Sequence, residues 1–140
     1  MSLAANVDGA VRRISTAYDV ANNVKSVTSY DNMTVGSGNV VNQVLYKFDT
    51  NGLLAKEFSN PNGVVNVAST PYIGYTYDTM ESGDLFTKRL RPITMKYPSG
   101  KTLTFAYGTS GSNDDLLGRL AEIKEGVTSL VQYAYCFVNF

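Results

Sequence analysis

Val44-Leu-Tyr46-Lys-Phe48-Asp49-Thr-Asn51-Gly52-Leu53-Leu-Ala-Lys-Glu-Phe58-Ser-Asn60-Pro61-Asn62-Gly63 holds the two strands and both turns of one folding unit. Val44, Tyr46 and Phe48 alternate with other residues, and side chains two apart on a strand share a face. Asp49 follows directly. Its carboxylate can accept hydrogen bonds from backbone N–H groups just ahead and so start a turn. Thr50-Asn51-Gly52 supplies a residue type suited to positive φ, and Leu53 to Phe58 reads as a strand running back. Asn60-Pro61-Asn62-Gly63 then closes the unit with a second turn.

Working outward, the same aromatic position recurs at Tyr18, Phe48, Tyr77, Tyr107 and Tyr135, with spacings of 30, 29, 30 and 28 residues. Four of these have another aromatic two positions earlier (Tyr46, Tyr75, Phe105, Tyr133), and three are followed by Asp (Asp19, Asp49, Asp78). A fixed period with a fixed local signature means one supersecondary unit copied along the chain. Ile14-Thr16-Tyr18, Ile73-Tyr75-Tyr77, Leu103-Phe105-Tyr107 and Val131-Tyr133-Tyr135 repeat the stripe of Val44-Tyr46-Phe48, so each predicts a strand with one large apolar or aromatic face. The return strands are predicted at Val24 to Tyr30, Leu53 to Phe58, Leu90 to Tyr97 and Arg119 to Lys124, with a further turn at Pro98-Ser99-Gly100. Segments of variable length at Asn32 to Val40, Thr79 to Phe86 and Thr109 to Leu117 read as loops. An isolated hairpin is marginal in water, so neighbouring units are expected to pair into one sheet. The expectation is a single all-β domain over 1–140, with units of roughly 10–40, 41–70, 71–100 and 101–137.

Tyr46-Lys-Phe48-Asp49, Tyr75-Thr-Tyr77-Asp78 and Gly118-Arg119-Leu120, set among Gly-containing turns, resemble the YD repeats of Rhs-type proteins. About four units cover roughly residues 10 to 137. Gly108 and Cys136 stand where that pattern has Asp, and Gly-Arg-Leu is intact only at Gly118 to Leu120. The resemblance implies repeated antiparallel hairpins in one continuous, curved or spiralling sheet, shell-like or partly rolled. It also implies a bacterial, secreted or cell-surface setting, and a wall that encloses a passenger such as a toxin domain or forms a surface scaffold. The residues it marks as repeat-defining are Tyr18, Asp19, Tyr46, Phe48, Asp49, Tyr75, Tyr77, Asp78, Phe105, Tyr107, Gly118, Arg119, Tyr133 and Tyr135. No Rhs-type self-cleavage motif matches, so no catalytic residue is carried over.

The inventory narrows the chemistry. The chain has no His and a single Cys, so neither a disulfide framework nor a Cys/His metal site can form within it. Without His, the usual nucleophile–base pairs are gone, and the expectation is a non-catalytic protein with no cofactor and no metal. Asp114-Asp115 and Asp49-Thr-Asn51-Gly52 faintly echo carboxylate or calcium sites but read as a polar loop tip and a turn. Lys88-Arg89-Leu90-Arg91 is the densest basic cluster. In a chain of formal charge zero it reads as a solvated strand edge rather than a nucleic-acid site. Cys136 lies among apolar neighbours and reads as an inert thiol.

No membrane span or signal peptide is visible in the sequence. Val131 to Phe140 reads as an apolar strand with no closing turn, which suggests a piece of a longer array, or pairing with another copy through a bare edge. Partners are therefore further repeats, a second copy or a passenger. A second function stays open: a cell-surface module binding carbohydrate or protein on an exposed Tyr-rich face. Exposure of Tyr46, Tyr75 and Tyr133 separates the two.

Overall fold

A computed structural model describes residues 10–78 and 90–135. Its strands are β1 (Arg13–Tyr18), β2 (Val24–Tyr30), β3 (Val40–Phe48), β4 (Leu54–Asn60), β5 (Tyr72–Tyr77), β6 (Pro92–Lys96), β7 (Thr102–Ala106), β8 (Glu122–Glu125) and β9 (Thr128–Gln132), with one four-residue helix, α1 (Asn113–Leu116). The protein is all-β and antiparallel. It divides into two compact units, 1–72 and 73–140. In the first, β1 to β4 lie side by side in sequence order; in the second, β5 to β9 do the same.

Three landmark aromatics, Tyr18, Phe48 and Tyr77, sit at the same irregularity. The ladder slips between Ala17 and Tyr18, between Lys47 and Phe48, and between Thr76 and Tyr77, so that Tyr18 faces Val24, Phe48 faces Leu54 and Tyr77 faces Pro92. One residue of the returning strand is left over each time: Lys25, Ala55 and Ile93. Such a bulge adds local twist and ends regular pairing. The turn follows at once. Asp19 N–H donates to the Asn23 carbonyl (2.9 Å) and Asp49 N–H to the Leu53 carbonyl (2.8 Å); across an insertion, Asp78 N–H donates to the Arg91 carbonyl (2.9 Å). The residue before each of those acceptors is left-handed: Asn22 (φ 65°), Gly52 (φ 79°) and Leu90 (φ 64°). Gly118 (φ 63°) holds the same place before Arg119. Leu90-Arg91-Pro92 is thus the backbone counterpart of Gly118-Arg119-Leu120.

The structure corrects several expectations. The run expected from Leu90 starts at Pro92, because Leu90 and Arg91 complete the turn. The strand expected from Arg119 starts at Glu122. The last strand begins at Thr128 after the Gly126 turn (φ 60°) and ends at Gln132, so Tyr133 and Tyr135 lie beyond it. Thr109 to Leu117 contains α1, which starts because Ser112 caps it through the Asp115 N–H. Residues 79–86, Lys88, Arg89, Cys136 and 137–140 lie outside the described residues.

The expected single apolar face is also corrected. Ile14 and Tyr18 are 65% and 57% exposed. Among the described residues the most buried large side chain is Phe58, at 1%, and it faces Leu45, on the opposite face from Tyr46 and its partner Glu57. Phe58 packs against the Tyr72 ring (centroids 5.2 Å apart), and Lys56 covers the Tyr72 ring from 4.5 Å. Around them the buried residues are partly polar. Thr28 is buried and accepts from Gln43 Nε2 (2.9 Å), while Gln43 Oε1 accepts from the Val65 N–H (2.9 Å), so one amide ties β2, β3 and the loop after β4. Satisfying both ends of that amide makes its burial tolerable.

The left-handed position yields an expected outcome of opposite signs. Gly52→Ala imposes a Cβ on a positive-φ residue, and should cost about 1 kcal/mol although nothing crowds the site. Leu90→Gly removes that same strain, and after the entropy cost of glycine should gain about 0.5 kcal/mol. Urea unfolding of both variants against the parent checks this.

Candidate functional site

In the first unit, the β1–β2 and β3–β4 turns are built alike. Asp19 Oδ1 accepts from the N–H groups of Ala21 and Asn23 (both 2.9 Å), and Asp49 Oδ1 accepts from those of Asn51 (2.8 Å) and Leu53 (2.9 Å). Asn23 Nδ2 additionally donates to Asp19 Oδ2 (3.2 Å). These bonds hold the Asp19 carboxyl below its ordinary value of 3.8: the Asn23 N–H dominates, burial opposes it, and the Asn23 amide, the Ala21 N–H and Lys25 add to the lowering. Between the two turns lies an open groove of about 660 Å³. Tyr18, Asp19, Asn23, Tyr46, Phe48 and Asp49 border it, with Lys25 and Lys47 also on its lining. Five of the repeat-defining residues thus meet at one place.

The second unit has the same turn position but a filled one. Arg91 Nε donates to Asp78 Oδ2 (2.9 Å), and its terminal nitrogens reach the Asp115 carbonyl (3.0 Å) and Asp115 Oδ1 (2.7 Å). The guanidinium also lies over the Tyr107 ring, 4.4 Å from its centroid. Asp115 is 4% exposed and takes a further bond from the Gly111 N–H (2.8 Å). Burial works against the charge of Arg91, but the bonds and charges of Asp115 and Asp78 outweigh it and hold the guanidinium above its ordinary value. Burial raises the Tyr107 hydroxyl, partly offset by Arg91. This revises two readings: Asp115 is a buried ion-pair partner rather than a loop tip, and Arg91 is an enclosed cross-brace rather than a solvated edge charge.

Two tyrosine hydroxyls of this unit, at the landmark positions 107 and 135, repeat one relation. Tyr107 Oη donates to the Pro92 carbonyl (2.9 Å) and Tyr135 Oη to the Leu120 carbonyl (2.8 Å), each fifteen residues back. The preceding arginine covers the ring each time, Arg91 over Tyr107 and Arg119 over Tyr135 at 5.2 Å. Tyr75, Tyr77 and Phe105 serve in the ladders instead, opposite Met95, Pro92 and Ile123. Tyr46 and Tyr75 are half-buried, and Tyr133 is 44% exposed. The aromatic face is neither a deep core nor a bare platform.

Sequence reasoning missed the Arg91–Asp115 pair, whose members stand 24 residues apart. The repeat of an arginine sixteen residues before Tyr107 and Tyr135 is the signal that could have revealed the ring contacts. Among the described residues no group of three or more His, Cys, Asp or Glu could hold a metal ion, and no helix is long and apolar enough to cross a membrane. Compared with known proteins, the chain matches no family model and no curated protein.

Arg91→Ala leaves the Asp115 carboxylate buried without its cation, and should destabilise the second unit by about 2–4 kcal/mol. Arg91→Lys, lacking the planar fork, should fall between it and the parent. Thermal unfolding of the three proteins gives the order. The depressed Asp19 carboxyl sets a separate expectation: its stabilisation is fully present above pH 3.8 and is lost as pH falls through the lower folded value. Carboxyl ¹³C titration should place Asp19 below 3.8, and Asp19→Asn should flatten the acid limb of the unfolding curve.

Proposed function

We propose that this chain is a non-catalytic structural repeat module, a segment of wall of the kind that Rhs-type YD repeats build. The observation that carries the reading is the recurrence of one device, bulge, aromatic, carboxylate-led turn and left-handed residue, at 18–24 and 48–54 and, with an insertion, at 77–92. Residues that a catalytic reading would want free are committed to that device. Asp19 and Asp49 hold their own turns, and Asp78 and Asp115 hold Arg91. The rings of Tyr107 and Tyr135 are engaged by arginines and their hydroxyls by carbonyls, which favours a scaffold over a bare aromatic binding face.

In this reading the hairpins continue edge to edge into a curved or spiralling sheet, in a secreted or cell-surface setting, around a passenger domain or as a surface scaffold. β1 is the strand through which such continuation would pass: among the described residues of the first unit it is laddered to β2 only, and Ile14 and Tyr18 stand exposed on it. Light scattering across a hundredfold concentration range should therefore show a rising mass, with at least a doubling at the top. The double variant Ile14→Lys/Thr16→Lys should abolish the rise, since lysines blunt an edge strand. A monomer at every concentration would overturn the reading.

A further inference from the structure

The groove of the first unit and the Arg91 brace of the second stand at equivalent turns of the hairpin repeat. Asn23 and Arg91 hold equivalent positions: each follows a left-handed residue, accepts the N–H of its turn-opening aspartate, and precedes the residue that faces the landmark aromatic. Each side chain also donates to Oδ2 of that aspartate, Asn23 to Asp19 and Arg91 to Asp78. Arg91 continues outward to the next landmark ring, Tyr107. The next landmark after Asn23 is Phe48, which borders the groove, and asparagine is three heavy atoms shorter than arginine. The volume that Arg91 fills is open beside Asn23.

The second carboxylate has its counterpart too. Asp49 stands at the position of Gly108, directly after the landmark ring. A Cβ placed on Gly108 would meet Ser112 Oγ at 2.7 Å and lie 3.8 Å from the Asp115 N. The insertion of the second unit thus brings the Asp115 backbone close to residue 108, and in the first unit Asp49, one step after its own landmark ring, lines the groove. Lys25 and Lys47 also line the groove, so its charge is balanced as a whole. Selectivity must come from fork geometry and the ring face, both of which distinguish arginine from lysine.

We propose that the groove bounded by Asp19, Asn23, Phe48 and Asp49 is a receiving site for an arginine side chain presented by another polypeptide. The guanidinium would lie over Phe48 with its nitrogens on the two carboxylates, as Arg91 lies over Tyr107 between Asp78 and Asp115. This goes beyond the scaffold reading and does not depend on it, since a monomer could bind as well.

The test is a ¹H–¹⁵N NMR titration of the whole chain with N-acetyl-arginine amide, with N-acetyl-lysine amide as the control. Saturable shifts centred on residues 19, 23, 48 and 49, at least tenfold tighter for the arginine probe, are expected. Asn23→Arg fills the groove from within, and should abolish those shifts while raising the melting temperature. Phe48→Leu keeps an apolar side chain but removes the ring face, and should weaken the arginine probe several-fold, which holds the proposal open to refutation if the arginine variant does not fold. Shifts that are absent, located elsewhere or equal for the two probes would overturn it.

Discussion

Three hairpins of this fold, those of Tyr18, Phe48 and Tyr77, hang on one closing hydrogen bond, from the N–H of the residue after the aromatic to a carbonyl just past a left-handed residue. It fixes where each strand stops and which residue begins the return. A one-residue slip would exchange the two faces of the following strand. The bulge beside Tyr18, Phe48 and Tyr77 sets the same point from the other side, leaving Lys25, Ala55 and Ile93 outside the pairing. Register is therefore set locally in each hairpin. That suits a protein whose buried apolar side chains are as sparse as Phe58 and Val65 among the described residues.

The period, the strand parity and the aspartate-led turns were legible because each is a short-range matter. Asp19 and Asp49 reach N–H groups only two and four residues ahead, a reach that sequence spacing shows directly. Leu90 was not legible as a turn residue. Nothing in leucine favours positive φ; the surrounding hydrogen bonds impose it. The choice of face was not legible either, since Tyr46 and Phe58 lie on opposite sides and burial of Phe58 depends on Tyr72, fourteen residues on. Asp115 was misread for the same reason. Its partner comes from another turn, and alternation carries no information about that distance.

The arginine–tyrosine relation adds long-range order to this locally determined scheme. Arg91 and Arg119 each span from their own turn to the next landmark ring, whose hydroxyl returns a bond to the carbonyl just after that arginine. Successive turns are thereby locked in pairs. In the first unit Arg13 plays a different part, lying over Tyr30 (4.0 Å) while its guanidinium donates to the carbonyls of Asn32, Thr34 and Ser37, so that a cation organises the loop between β2 and β3. The recurring choice of arginine reflects a need for several donors in one plane, which lysine lacks.

The closing bond also tolerates very different spans. Three residues lie between Asp19 and Asn23, and twelve between Asp78 and Arg91, yet the N–H to carbonyl distance is 2.9 Å in both. Two doublings in loop length add only about 1.2 kcal/mol of closure entropy, so the hairpin stem can carry the longer span. The number of residues carried between two such anchors is thereby decoupled from the register of the flanking strands.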